Sequence, residues 1–263
     1  MTSYMANERS AATGFAPVAG RLEGVRKHYG RNGAPDVLHG VSAVFPHGTM
    51  TAVMGLSGSG KSTLLHLASG LDQPNAGRIW LGGVEITKMS RRRLATLRRR
   101  KVGFVFQDLN LVPTLTVAEN IALPLRLDGR PVSSSHVARA AHQVGIADFL
   151  GRLPGQLSGG QQQRVAIARA LITRPDIVFA DEPTAALDPY TAETVLGLLR
   201  RAVDETGQAV VVVTHDPDVA AYADSAIILD HGHVAEVRAV PEAADLRQIL
   251  RKLGADSRRG VSR

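Results

Sequence analysis

The residues GLSGSGKST, at positions 55–63, have the composition and order of a loop that wraps a phosphate chain. The apolar residues TAVM precede them and LLHLASG follows, as expected of a strand that leads through a glycine-rich loop into a helix. Backbone N–H groups in such a loop bind phosphate oxygens. Lys61 would reach the β- and γ-phosphates, and the Ser62 hydroxyl would bind Mg²⁺. An ordinary glycine turn is the alternative, but it leaves the flanking strand and helix unexplained.

Two adjacent carboxylates end a second apolar strand, DIVFADE, at Asp181 and Glu182. Strand residues alternate between faces, so neighbouring carboxylates can take different roles. Asp181 would hold the Mg²⁺ shell, and Glu182 would orient or polarise an attacking water. The alternative is a solvated acidic turn, or a cap for the helix after Pro183. The phosphate-binding loop upstream favours the hydrolytic interpretation.

A second phosphate-binding helix start is predicted in LSGGQQQRVAIARAL, at positions 157–171. Ser-Gly-Gly before a long helical pattern leaves free N–H groups and the Ser158 hydroxyl available to an anion. One chain therefore carries two such helix starts, about a hundred residues apart.

With these motifs together, the sequence resembles the ATP-binding cassette family of ATPases, whose LSGGQ signature is present unbroken. The resemblance covers about residues 20–238. It implies ATP and Mg²⁺ as cofactors. It also implies a head-to-tail pair of subunits, a homodimer or a pseudo-dimer, with two ATPs between them, in which the signature of one subunit closes over the nucleotide held by the other.

The resemblance also assigns roles to single residues. Tyr29 would stack on adenine, although an isolated tyrosine after a strand is more often a packing residue. The catalytic residues would be Glu182, His215 and Gln107, and the Mg²⁺ ligands would be Ser62, Gln107 and Asp181. The residues in contact with ATP would be Tyr29, Gly55, Ser57, Gly58, Ser59, Gly60, Lys61, Ser62, Thr63, Ser158, Gly159, Gly160, Gln161 and Asp188.

The residue types at Gln107, His215 and Asp188 differ in how strongly they indicate a role by themselves. Without the family, Gln107 is an ordinary loop residue and His215 is one of nine histidines, although it follows a buried strand. Asp188 matches the aspartate of the family's D-loop. Ala185 stands where the family often has serine, so a hydroxyl contact would be missing there.

The elements that position these motifs follow from hydrophobic periodicity. Short β-type stretches occupy the first third, with a hairpin turn predicted at Gly82-Gly83. The middle, 108–170, becomes helical, and Thr116 with Glu119 forms a capping-box pattern. The last third alternates strand, helix, strand, which is typical of buried parallel strands.

Together with the resemblance, this order predicts an α/β fold: a P-loop NTPase core with a mostly parallel sheet, an N-terminal antiparallel β subdomain, and a helical insert carrying the signature. The expected divisions are a flexible leader, an ATPase domain whose helical subdomain spans 108–170, and a C-terminal helix with a basic tail. Their limits are 1–19, 20–238 and 239–263.

The charge is local. Lysine and arginine number 31 against 24 acidic residues, a net charge of +7, and the segment RRRLATLRRRK at 91–101 holds seven cations and no anion. The other residues therefore have a net charge of zero, and this local distribution argues against a protein that coats nucleic acid through a broad basic face. The segment predicts a solvated amphipathic helix, with contact to anionic lipid or a partner as the alternative. The absence of cysteine excludes disulfides and thiolate chemistry.

No apolar run is long enough to span a membrane, and we expect no signal peptide. The cassette is therefore expected to be the motor of a transporter whose permease is a separate chain, bound at the cytoplasmic face of the membrane. The stretches DLNLVPTLTVAENIALPL and VAAYADSAIILDHGHV resemble the macrolide-export and lipoprotein-release branch, which favours an exporter or an extruding system.

Two other classes of protein also use a phosphate-binding loop of this kind: ABC-type ATPases of DNA repair, chromosome structure or translation, and P-loop kinases. ATPases of this type in DNA repair and chromosome structure have long coiled coils between the P-loop and the signature, and the translation forms usually carry two cassettes. This chain has about a hundred residues there and one cassette, so no nucleic-acid partner is expected. A P-loop kinase would leave LSGGQ unexplained.

Overall fold

The computed structural model describes residues 18–30 and 35–260, with side chains as far as 255. Positions 1–17 of the expected leader and 261–263 of the expected tail lie outside the described residues. Val18 and Ala19 fall within the expected leader but begin the first strand, where Ala19 is fully buried. The other domain limits stay predictions.

Within the described residues the strands are β1 Val18–His28, β2 Asp36–Pro46, β3 Met50–Gly55, β4 Ala76–Leu81, β5 Val84–Glu85, β6 Val102–Val105, β7 Ile177–Asp181, β8 Ala209–Val213, β9 Ser225–Asp230 and β10 His233–Ala239. The α-helices there are α1 Lys61–Ala68, α2 Arg91–Lys101, α3 Val117–Leu127, α4 Ser134–Gln143, α5 Gly159–Leu171, α6 Pro189–Thr206, α7 Pro217–Ala220 and α8 Ala243–Gly260.

The central sheet has the order β10-β9-β3-β8-β7-β6, and only β10 runs antiparallel to its neighbour. Its inner strands read as continuous apolar runs because both faces are covered, and every residue of AVVVV in β8 is buried. Val53 of β3 and Asp181 of β7 both pair with Val213 of β8. The carboxyl ends of these three strands therefore meet at one edge, where ligands of α/β proteins bind.

Two layers cover this sheet. The antiparallel sheet β2-β1-β4-β5 and helix α1 pack on one face, where Phe45 meets Phe179 edge to face at 6.2 Å between ring centroids. Helices α3 to α6 pack on the other face, against Ala52 and Met54. The predicted hairpin turn is confirmed: β4 and β5 pair across Gly82-Gly83, both at positive φ. The predicted α/β fold class, with its antiparallel subdomain and helical insert, is confirmed as well.

The helical insert begins with the predicted capping box. The Thr116 hydroxyl accepts the Glu119 N–H, and the Glu119 carboxylate accepts the Thr116 N–H at 2.9 Å. The irregular segment before α3 is held by Asn120, which is fully buried. Its side chain accepts the Val112 N–H and donates to the carbonyls of Val112, Leu115 and Thr116.

We expect Asn120→Ala to lower the free energy of unfolding by about 3 kcal/mol, because it leaves several buried main-chain groups without partners. Urea unfolding followed by circular dichroism measures this loss. Ser135→Ala, which removes only an exposed hydroxyl pair with Ser133, is the control and should change stability by less than about 0.5 kcal/mol. Equal effects in the two variants would contradict the structural role of Asn120.

The basic segment forms helix α2, with Leu94 buried beneath it. Four of its seven cations have partners inside the chain: Arg98, Arg99, Arg100 and Lys101. The first donates to the Gly70 carbonyl, the next two approach Asp128 at the end of α3, and the last pairs with Asp176 at 2.9 Å. The C-terminal half of α2 therefore joins the core to the helical insert. The predicted amphipathic helix is confirmed, and lipid or partner contact stays an open alternative for its first turn.

Candidate functional site

The phosphate-binding loop follows β3 at the sheet edge where β7 and β8 also end. Two of its glycines are required by geometry. A Cβ on Gly55 would lie 2.3 Å from the Leu229 carbonyl oxygen, and Gly60, the N-cap of α1, has φ of 100°. A side chain at position 55 would clash with β9, and one at position 60 would strain the backbone, so the loop keeps its conformation only with glycine at both positions.

Lys61 begins helix α1 and turns its side chain back over the loop. Its Nζ donates to the carbonyls of Gly55 and Leu56, at 2.9 and 3.0 Å. Burial lowers the pKa of Lys61, and the negative charges of Glu182 and Asp181 oppose that shift. The ammonium group is thus held among opposite charges with only carbonyl acceptors, which a phosphate can replace.

A cavity of about 400 Å³ opens above this loop. The residues lining it come from five separate parts of the chain: Val37, Ser57, Gly58, Gly60, Lys61, Ser62, Thr63, Gln107, Asp181, Glu182, Ala185, Val213 and His215. Within the loop, the buried Ser59 Oγ has no hydrogen-bond partner among the described residues, and Ser59 does not line the cavity. At the cavity itself, a lysine bound only to carbonyls fits an anionic ligand.

The two carboxylates differ in surroundings, as their alternation along the strand predicts. Asp181 ends β7 and has no hydrogen bond among the described side chains. Burial raises its pKa, while the positive charges of His66 and Lys61 act against that shift and Glu182 adds to it. Ser62, Gln107 and Asp181 supply hydroxyl, amide and carboxylate oxygens to the one cavity, an oxygen set that suits Mg²⁺ bound together with phosphate.

Glu182 stands one residue beyond β7 at φ of 45°, an uncommon conformation for a side chain of its size. Its N–H donates to the Val213 carbonyl, which keeps the residue in line with the strand. Its Oε1 lies 2.8 Å from Nδ1 of His215, which follows β8. A carboxylate can only accept, so Nδ1 carries the proton of this bond and Nε2 is left as the outer nitrogen.

The predicted residues fall into three groups in space. Residues 57, 58 and 60–63 of the P-loop meet the two carboxylates, Gln107 and His215 at the cavity, whereas Gly55 and Ser59 of the loop do not line it. Tyr29 does not line it: its ring is half exposed, its hydroxyl donates to Asp72, and the Nζ of Lys27 lies 4.7 Å from the ring centroid. Adenine stacking by Tyr29 stays a prediction.

The signature residues form the third group, away from the cavity. Ser158 caps helix α5 in a capping box with Gln161, and neither residue lines the cavity of its own chain. Gly160 packs against Thr191, where a Cβ would come within 2.4 Å of the threonine methyl. Thr191 in turn donates its N–H and hydroxyl to Asp188, the N-cap of α6, and these bonds lower the pKa of Asp188. The signature and Asp188 therefore form one continuous surface.

Arg169 was missed by the sequence reasoning. It lies on α5 and donates to two carbonyls of the loop after Gln107. Its signal was present, because the positions around it in VAIARAL are apolar at helical spacing and a charge among them must be buried with partners.

A family model described as ABC transporter matches residues 38–185. The lipoprotein-releasing system ATP-binding protein LolD of Bordetella pertussis is 44% identical over 201 residues, which cover 76% of this chain and 87% of that protein. The methionine import ATP-binding protein MetN of Caulobacter vibrioides is 43% identical, with 84% and 67% covered. The macrolide export ATP-binding/permease protein MacB of Syntrophobacter fumaroxidans is 42% identical, with 85% and 33% covered.

Solved structures agree with these sequence matches. A dimeric post-hydrolysis state of the ATP-binding cassette MJ0796 bound to ADP and Pi superposes with a TM-score of 0.78 at 38% identity, covering 84% of this chain and 98% of that one. A second dimeric structure of MJ0796 gives a TM-score of 0.77 at 40% identity, with the same coverage.

Proposed function

Since this chain belongs to the ABC transporter family, we propose that its cavity and its separate signature surface are the two halves of one ATP site, closed between two copies of the chain. The chain is an ATP-binding subunit that hydrolyses ATP to drive transport, and it works with a membrane permease. One observation carries the proposal: residues 158–161 form an exposed helix start that does not line the cavity of their own chain.

In this proposal the P-loop N–H groups and Lys61 bind the phosphate chain, and Ser62, Gln107 and Asp181 hold Mg²⁺. When bound, the ion neutralises charge on the phosphates. Glu182 accepts a proton from a water as the water oxygen bonds to the γ-phosphorus. The bond from that phosphorus to the bridging oxygen breaks, giving ADP and phosphate. His215 donates from Nδ1 to the Glu182 carboxylate and so holds it at the cavity that the γ-phosphate would enter.

Ser158 and the free N–H groups at the start of α5 would complete the site from the partner subunit. Moving an open–closed equilibrium from 1:99 to 99:1 takes about 5.5 kcal/mol of differential binding. Two γ-phosphates, each held between Lys61 of one subunit and the signature of the other, can provide it. Loss of phosphate after hydrolysis removes the bridging charge, so the dimer reopens.

The permease would couple to the helical insert at the cytoplasmic face of the membrane. No helix in the described part of the chain has the length and apolar character to cross a bilayer. The named relatives release lipoproteins, export macrolides or import methionine, which favours transport over the repair, translation and kinase alternatives. We propose an exporter or extruding system, on the resemblance of 108–125 and 219–234 to the lipoprotein-release and macrolide-export branch.

Mixing two inactive variants tests the shared site. Lys61→Ala damages the half made by the P-loop. Ser158→Asp damages the signature half by charge repulsion, while aspartate still caps the helix. Each variant alone should be inactive, and an equal mixture should recover about a quarter of the wild-type rate, because half the dimers carry one intact site.

The negative control mixes Lys61→Ala with Glu182→Gln, because both changes damage the same half of each site and every dimer then lacks an intact one. No recovery is expected there. The trans arrangement is contradicted if the first mixture is as inactive as its parents although Ser158→Asp still binds ATP.

A further inference from the structure

We infer that Arg169 is a positioning residue that holds the loop bearing Gln107 and ties that loop to the helix beginning at the signature. This inference rests on the proposed role of Gln107 in hydrolysis. It assigns to Arg169 no contact with ATP, since Arg169 does not line the cavity.

Arg169 is a buried cation with unusual partners. Its side chain is on the inner part of α5, only 8% of the residue is exposed, and it has no ion pair among the described residues. One guanidinium nitrogen, Nη1, donates to the Asn110 carbonyl at 2.6 Å, and Nη2 donates to the Leu109 carbonyl. Burial lowers the pKa of Arg169, but a guanidinium stays charged in proteins. These two carbonyls are therefore what compensates a buried charge.

The carbonyls belong to a strained turn. Leu109 and Asn110 have φ of 58° and 48°, two successive left-handed residues without a glycine. The left-handed conformation is unfavourable for residues other than glycine, and it persists only where its surroundings impose it. Arg169 provides that constraint. Gln107 lies two residues before the turn, so the position of its side chain relative to the cavity depends on the conformation of the turn.

Helices of the insert hold the loop at two points. Arg169 of α5 holds 109–110, and Asn120 of α3 holds 112–116. Gln107 itself follows β6, which belongs to the central sheet. The loop therefore crosses from the core to the insert, and its second half is fixed to the insert.

Helix α5 joins two parts of different ATP sites. Its cap Ser158 is eleven positions before Arg169, about 17 Å along a helix at 1.5 Å per residue. Under the proposed arrangement, Ser158 contacts the ATP of the partner while Gln107 contacts the ATP of its own chain. A rigid helix that contacts the loop through Arg169 would transmit closure over the partner's ATP to the chain's own Gln107.

Arginine suits this position better than lysine. Its planar fork donates to two acceptors at once, whereas an ammonium on a flexible stem is a point charge. Arg169→Lys therefore keeps the positive charge but removes the simultaneous hydrogen bonds to the Leu109 and Asn110 carbonyls. We expect kcat of the full-length chain to fall about tenfold while KM for ATP stays within about twofold, because Lys61 and the P-loop still bind the phosphates.

Two control variants on α5 separate positioning from stability. Ile167→Val trims a fully buried side chain that has no polar atom with which to hold the loop carbonyls, and should lower the melting temperature without lowering kcat. Arg164→Lys changes an arginine on the same helix whose one hydrogen-bond acceptor among the described residues is the Gly145 carbonyl, and should leave kcat unchanged.

A spin label measures the loop directly, because the chain has no cysteine and Asp108→Cys gives a single labelling site. The label should become more mobile in Arg169→Lys and not in Ile167→Val. Combined with Gln107→Ala, Arg169→Lys should cause no further loss of kcat, since it acts through Gln107.

Three results overturn the inference: unchanged label mobility in Arg169→Lys, an equal loss of kcat in Ile167→Val, or additive losses in the double variant. If Gln107→Ala alone leaves kcat unchanged, the proposed role of Gln107 fails and Arg169 loses its catalytic consequence. The label mobility then still decides whether Arg169 holds the loop.

Discussion

Glu182→Gln should leave ATP binding intact and lower steady-state hydrolysis by about a thousandfold, because an amide of the same shape cannot accept the proton of the attacking water. The P-loop contacts of Lys61 are unaffected by the change. The glutamine Oε1 can still accept from Nδ1 of His215, which lies 2.8 Å from Oε1 in the wild type. Equilibrium dialysis measures ATP binding, and phosphate release measures turnover.

The same variant should accumulate the closed dimer. If hydrolysis opens the dimer, a subunit that binds but does not cleave ATP stays paired, and sedimentation in the presence of ATP would show a dimer that wild type loses with time. Glu85→Gln, an exposed carboxylate on β5, is the control and should behave as wild type. Turnover within about threefold of wild type in Glu182→Gln would exclude Glu182 as the proton acceptor.

The sequence predicted the parts of the site whose chemistry is local. The P-loop, the carboxylate pair and the capping box at Thr116 are short segments in which neighbouring residues determine both conformation and role. The buried parallel strands followed from continuous apolar runs such as AVVVV. These features need no knowledge of distant partners, and the structure places them as expected.

The sequence could not predict the pairings that depend on register between distant segments. The bond between Glu182 and His215 spans 33 positions and exists because β7 and β8 are adjacent with Asp181 opposite Val213. The contact of Arg169 with Asn110 spans 59 positions. The start of β1 was misplaced because Val18 and Ala19 are too few residues to show a period, although pairing with β2 fixes them.

Asp181→Asn should make the nucleotide-free protein more stable while lowering Mg²⁺-dependent hydrolysis by at least about a hundredfold. Burial raises the pKa of Asp181, and no hydrogen bond among the described side chains supports its ionised form. The neutral amide avoids that cost. The gain at pH 7 should be no more than about 1 kcal/mol, since the side chain is partly exposed and water screens its charge.

The pH dependence of this gain has a definite sign. A carboxyl group whose pKa is raised in the folded state binds more protons there than in the unfolded chain, so its contribution to stability is lost as pH rises through the folded pKa. The advantage of Asp181→Asn should therefore be largest near neutrality. It should shrink as pH falls through the raised pKa and vanish below the unfolded value of 3.8.

Asp204→Asn is the matched control, and its effect should have the opposite sign. Asp204 accepts from Arg200 at 2.6 Å, and this bond lowers the pKa of Asp204, so the amide loses a favourable interaction at pH 7. Urea unfolding from about pH 3 to about pH 8, with and without Mg²⁺ and ATP, distinguishes the two carboxylates. Mg²⁺ and ATP should stabilise wild type more than Asp181→Asn, because ligand binding stabilises only the state that binds it.

If Asp181→Asn were less stable than wild type at pH 7 without nucleotide, Asp181 would be a structural partner of Lys61. If Asp181→Asn is more stable than wild type, the wild-type chain keeps the Asp181 carboxylate ionised at a cost in folding free energy, and binding of Mg²⁺ offsets that cost.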